Sequence, residues 1–229
     1  MDQFARIPAT TLPHGIVPEF VVGIYLCSKG PDGRAVVTAE GLPWTRITYR
    51  QAIEACRASG YELLTESQWL ALAWRVCRGS GNWSSYDAPP QRRVLQGIRK
   101  GRVKLPVPGL HNPEHMHEHR WLNVHNDTNL CDLNGNAMQW VFDDIQGDRE
   151  GLNRGMFSDS PSLITQPFKS HSHGMGWSPT HGALPKADHA LCRGGSFLSG
   201  KDAGIYGLQI AFSHGEYQSV GFRCTRPLP

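Results

Sequence analysis

Two helix starts stand close together in the first third of the chain, and no third follows. Thr48-Tyr49-Arg50-Gln51 and Thr65-Glu66-Ser67-Gln68 each read as a capping box. In such a box the Thr hydroxyl accepts an orphan N–H three residues on, and the Gln side chain reaches back to the Thr N–H. Tyr49, Ala52, Ile53 and Cys56 fall on one face of the first helix, and Gly60 ends it. Trp69, Leu72, Ala73 and Val76 form the buried stripe of the second, which Gly79 stops, and Leu64 with Trp69 suits a hydrophobic staple. With 25 Gly and 16 Pro among 229 residues, the chain exceeds the roughly 12% of an average protein, which excludes a helical bundle.

The rest reads as short strands and long loops. Residues 1–19 carry Pro8, Pro13 and Pro18 and read as an extended arm. Phe20 to Cys27 is a strand, and Ala35–Thr38 returns after the turn at Lys29–Gly33 as the second half of a hairpin. Residues 79–130 and 144–189 read as irregular. Asn134-Gly135-Asn136 is a turn, followed by an alternating strand in which Met138, Trp140 and Phe142 face one way and Gln139 and Asp143 the other. Short strands close the chain near 191–193, 205–210 and 220–225. At this length a single domain with a real core is expected, spanning 1–229.

Several function classes drop out. A net charge of +3 is too mild to indicate nucleic acid, although Arg92, Arg93, Arg99, Lys100, Arg102 and Lys104 form a basic stretch. No apolar run reaches the length of a membrane helix, and the N-terminus lacks the pattern of a signal peptide, so a cytoplasmic location or carriage on a phage particle is expected. Cys27, Cys56, Cys77, Cys131, Cys192 and Cys224 are scattered singly, with no C-x-x-C pair, and read as mostly buried thiols. His111, His115, His117 and His119, with His125, His171 and His173, read as solvated loop histidines, without H-E-x-x-H spacing. No G-x-S-x-G elbow marks a hydrolase.

Four segments, in order, carry a resemblance. They are Tyr61-Glu62-Leu63-Leu64-Thr65-Glu66-Ser67-Gln68-Trp69, Leu130–Trp140 (LCDLNGNAMQW), Cys192-Arg193-Gly194-Gly195-Ser196-Phe197 and Gly221-Phe222-Arg223. Together they resemble the formylglycine-generating enzyme (sulfatase-modifying factor) branch of the C-type lectin fold, over roughly residues 40–226. The resemblance implies an α+β fold with two helices packed on short antiparallel sheets and long loops. It also implies that Arg193 and Arg223 pair with buried carboxylates or carbonyls as parts of the frame. Enzymes of that family bind copper through two cysteines just after R-G-G-S-W. Here residues 198–206 contain none, and Gln139 replaces the Glu of W-E-W, which weakens a family calcium site. No cofactor is expected.

The C-terminal region, 192–224, resembles the variable region of diversity-generating retroelement proteins, which display mutable side chains on this scaffold. In that family mutagenic copying alters adenines in AAY codons. Phe197, Leu198, Ser199, Asp202, Ile205, Tyr206, Phe212, Ser213, His214, Tyr217 and Ser219 are permitted products of such codons. Lys201, Gln209, Glu216 and Gln218 are not, and are expected to be fixed. The eleven mix aromatic surface with adaptable hydrogen-bonding groups, as paratopes do. The reading is a non-enzymatic protein binding an unidentified protein or glycan ligand, with its oligomeric state open. Its rivals are a formylglycine-generating-type oxidase or related metal-dependent oxygenase, and a phage or scaffold interaction module.

Overall fold

The computed structural model describes residues 3–85, 90–153, 160–179 and 188–228. The N-terminal segment is no loose arm. β1 (Phe4–Ile7) is followed by a small hairpin of β2 (Thr10–Leu12) and β3 (Gly15–Val17). β1 then pairs antiparallel with β4 (Phe20–Gly23), Ile7 opposite Phe20. The run expected as one strand over 20–27 is broken: β4 joins β1, whereas β5 (Cys27–Lys29) turns back on β6 (Ala35–Val37).

Both capping boxes form. α1 (Tyr49–Ala58) starts with the Gln51 N–H donating to Thr48 Oγ1 at 3.2 Å and the Thr48 N–H donating to Gln51 Oε1 at 2.9 Å. β7 (Glu62–Leu63) leads to α2 (Glu66–Arg78), where Gln68 N–H and Thr65 N–H make the same exchange at 3.2 and 3.0 Å. Gly60 ends α1 with φ +74°, a conformation that only glycine takes without strain. A second departure from expectation lies within 79–130, where β8 (Trp121–His125) and β9 (Thr128–Cys131) make a hairpin.

After β9 come β10 (Met138–Val141), the short α3 (Pro161–Ile164), β11 (His189–Arg193), β12 (Leu208–Phe212), β13 (Val220–Phe222) and β14 (Cys224–Arg226). The central sheet has the order β12-β11-β10-β13, with β10 and β13 parallel and the other pairs antiparallel. The other four-stranded sheet, β1-β4-β14-β7, joins the two ends of the chain. The central sheet separates two cores. On one face Val141, Leu191 and Leu208 pack with Trp69, Leu72 and Val76 of α2; on the other Trp140, Ala190, Cys192 and Phe222 pack with Tyr49, Ala52 and Cys56 of α1. A strand covered on both sides has no solvent face. That is why Gln139, expected to point outward, is fully buried; Asp143, expected likewise, lies just past β10 and is buried with its Oδ1 accepting from the Ile145 and Gln146 N–H groups.

The two framework arginines behave as the resemblance implies. Arg193 pairs with the buried Glu66 carboxylate. Arg223 donates to Gln139 Oε1 at 2.9 Å and to the carbonyls of Gly23, Ile24 and Cys131 at 2.7, 2.8 and 2.6 Å.

Candidate functional site

β11 ends at Arg193, and Gly194 and Gly195 turn the chain with φ of +90° and +96°. A Cβ on Gly194 would stand 2.4 Å from the Leu133 carbonyl oxygen, and one on Gly195 2.5 Å from Ala203 Cα. Conformation and space both demand glycine here. The chain then folds inward. The Phe197 N–H donates to the Asn136 carbonyl at 3.0 Å, and Trp69 Nε1–H donates to the Ile205 carbonyl at 2.9 Å. It re-emerges as β12, the outer strand of the central sheet.

A hollow of about 390 Å³ lies over this sheet on the side of Cys192, lined among others by Met138, Cys192, Gln209, Phe212, Tyr217 and Ser219. Gln209 stands opposite Cys192 in the β11–β12 register, so the amide rises beside the buried thiol. Phe212 is 49% exposed; its ring lies 4.6 Å from His189 and 5.5 Å from His214. The Tyr217 ring leans on Trp140 at 6.0 Å. Main-chain atoms fasten this rim. Ser213 N–H donates to the Asp188 carbonyl, Ser213 O accepts from Tyr49 N–H, Tyr217 O accepts from Arg46 N–H, and Ser219 O accepts from Met138 N–H. Rigid aromatic surface, an amide and a hydroxyl converge on one opening, a combination suited to non-covalent recognition.

The eleven residues marked in the sequence divide into three groups. Phe212, Tyr217 and Ser219 line the hollow; His214 stacks beside Phe212, and Ser213 lines a neighbouring charged cleft with Arg50, Glu54 and Glu150. Leu198, Ser199 and Asp202 occupy a separate surface turn, where Ser199 Oγ accepts from the Ser196 N–H at 2.8 Å and Asp202 lies 3.3 Å from His171 Nδ1. Phe197, Ile205 and Tyr206, expected at the patch, lie in the interior instead. They are at most 1% exposed and offer no surface to a ligand. Their apolar bulk fills the space under the glycine turn, and burial pushes the Tyr206 hydroxyl pKa up. Met138, His189, Gln209, Ile210 and Ala211, which lie outside the eleven, also line the hollow. Alternation along the strand expected near 205–210 pairs Gln209 with Ala211, which was the available signal.

Among the described residues, the positions of the two family metals carry other groups. No thiol stands on 198–206; Cys192 lies on β11 and Cys224 on β14. Gln139 spends its amide on Arg223 and on the Asp132 carbonyl, so its oxygen faces a guanidinium rather than a cation site. The histidines are dispersed. His115 and His117 are ring neighbours at 5.4 Å, whereas His173 stacks on Phe168 at 4.2 Å. Among the described residues no group of three or more His, Cys, Asp or Glu is placed to hold a metal ion. Arg93, Arg99 and Lys100 of the basic stretch line a small cleft with His115 and His117. Among the described residues, no helix is long and apolar enough to cross a membrane.

The α+β architecture, the glycine turn and the buried arginines define a sulfatase-modifying-factor-like scaffold of the C-type lectin type. Residues 26–228 match the model of the sulfatase-modifying factor enzyme 1-like domain, and the chain belongs to that family. Comparison with curated proteins returns no match. Among solved structures, CarF is similar at 11% identity and a TM-score of 0.52, over 100% of this chain and 99% of that one. PvdO from Pseudomonas aeruginosa is 12% identical, with a TM-score of 0.49 over 99% of this chain and 92% of that one. Treponema denticola variable protein 1 is 14% identical, with a TM-score of 0.49 over 98% of this chain and 93% of that one.

Proposed function

We propose that this chain is a non-enzymatic binding protein that presents a diversified surface patch on its lectin-type scaffold, as retroelement variable proteins do. The patch is the hollow and its rim, built by Phe212, Ser213, His214, Tyr217 and Ser219 around Gln209, with Leu198, Ser199 and Asp202 as a second exposed cluster. One observation carries the reading: along 212–219, main-chain atoms make the bonds that hold the rim, while aromatic and small polar side chains face the opening. Such a surface changes its chemistry without changing its support. The ligand class is a protein or glycan surface that fills an aromatic-edged hollow.

The encoding DNA tests this directly. AAY-derived codons at the exposed positions, with a near-copy of the 3′ end beside a reverse transcriptase gene, are expected; their absence removes the diversification part of the reading. The display part is tested by replacing Phe212 and His214 together with Ala. An unchanged melting temperature is expected, and loss of folding would make these side chains structural. The rival reading, an oxidase or metal-dependent oxygenase, draws on family membership. Stoichiometric copper or iron in purified protein would favour it.

A further inference from the structure

Three cysteines far apart in sequence meet in the second core. Cys27 comes from β5, Cys56 from α1 and Cys224 from β14. Cys56 Sγ lies 2.7 Å from Cys224 Sγ, and Cys27 Sγ lies 3.1 Å from the same atom. All three side chains are fully buried. Non-bonded carbon atoms already keep about 3.5–4.0 Å apart, so the three free thiols are in direct contact, and a disulfide of about 2.05 Å from Cys224 to either neighbour needs only a short approach. The spacing is too tight for a shared metal. Three thiolates around an ion at about 2.3 Å would stand about 4 Å from one another.

We propose that Cys224 is the shared sulfur of a thiol–disulfide relay, forming a disulfide with Cys56 that exchanges with Cys27. With a peroxide as oxidant, one thiol is oxidised to a sulfenic acid, releasing water. The second thiol displaces a second water and closes the S–S bond. Two thiols lose two hydrogens and two electrons, and one peroxide becomes two waters. Cys27 can then attack Cys224, transferring the bond and freeing Cys56 as a thiol. Burial pushes the Cys27 and Cys56 pKa values up, while the positive charge of Arg223 draws Cys27 down. Thiolate is therefore scarce in the closed core. The bond forms as β14 docks or transiently opens, and is sheltered from reductants afterwards.

The bond would tie α1 to the last strand across 168 positions of sequence. Closing so long a loop restricts the unfolded chain. The remaining cysteines do not share this arrangement: Cys77 is half-buried on α2, with its pKa pushed up to about 12 by burial.

The test uses the full chain, reduced and then treated with hydrogen peroxide, both folded and during refolding. Thiols are then alkylated in denaturant and the mass and non-reduced peptides are read. The expected product has four of its six cysteines alkylated, is lighter by two hydrogens before alkylation, and links Cys224 to Cys56 or Cys27. Cys56→Ala is expected to shift the link entirely to Cys27–Cys224, and Cys27→Ala to shift it to Cys56–Cys224. The double variant should form neither. The oxidised wild type should melt at a higher temperature than the reduced one. Six alkylated thiols under both conditions, or a link through Cys77, Cys131 or Cys192, overturns the proposal. Because each single alanine variant retains one partner of Cys224, misfolding of the double variant leaves the test intact.

Discussion

Arg193 at the end of β11 grips Glu66 in the first turn of α2, with both side chains wholly out of solvent. Arg193 Nε donates to Glu66 Oε2 at 2.9 Å, a second guanidinium nitrogen reaches Oε1, and further N–H groups donate to the carbonyls of Tyr206 and Ser162 at 3.0 and 3.1 Å. An acidic residue in the first turn also suits the helix dipole. The pair therefore fixes the point from which residues 194–207 loop away. Glu66→Ala would leave the guanidinium buried without its carboxylate. A loss of about 3–5 kcal/mol is expected by denaturant titration. Stability within about 1 kcal/mol of wild type would show that the pair holds nothing together.

A second prediction separates patch from core among residues of the same chemical kind. Phe212→Ser should change stability by no more than about 0.5 kcal/mol, as exposed substitutions do. Tyr206→Ser should cost about 3–5 kcal/mol, the range for emptying a buried aromatic site. Thermal melts of the two variants read the difference, and equal losses would contradict the division drawn between them.

That contrast marks where the sequence stops being legible. The helices are local objects: Thr48 with Gln51 and Thr65 with Gln68 settle their starts within four residues, and both are present as read. β1 and the β8–β9 hairpin escape because their pairing depends on partners and turns with no strong local signal. Gln139 escapes because a strand covered on both faces loses its period of two. Phe197 and Phe212 are chemically identical, and only the path of the loop under Gly194 sends one inward and leaves the other at the rim. What the sequence does not reveal is which of the eleven side chains reach the surface and which fill the core.

Glycines of the turn supply a graded third test. Gly194→Ala and Gly195→Ala combine an unfavourable φ with contacts at 2.4 and 2.5 Å, so each should cost more than about 2 kcal/mol. Gly200 also has positive φ but nothing within 4 Å of an added Cβ. Gly200→Ala should therefore cost only the conformational term, about 1–2 kcal/mol. Chemical denaturation of the three variants should reproduce that order.

A fourth prediction concerns pH. Burial raises the Asp143 pKa above 3.8, the Gln146 and Ile145 N–H groups oppose the rise, and the charge of Glu66 adds to it. The folded state thus holds this proton at pH values where the unfolded chain has released it. By linkage, the Asp143 contribution is greatest below about pH 3.8 and is lost as pH rises through the higher folded value. Asp143→Asn retains an oxygen for the two backbone N–H groups and removes the charge. Its melting temperature should lack that decline above pH 4. A variant that parallels wild type at every pH would assign the decline to other groups.

The Arg223 clamp bears on how this scaffold can age. Four of its contacts end on main-chain oxygens, those of Gly23, Ile24, Cys131 and Asp132. Every amino acid carries such an oxygen. The clamp itself is therefore blind to which side chains stand at those positions; what restrains change there is packing, since an added Cβ at Gly23 would meet Val37 at 3.1 Å and Cys131 is fully buried.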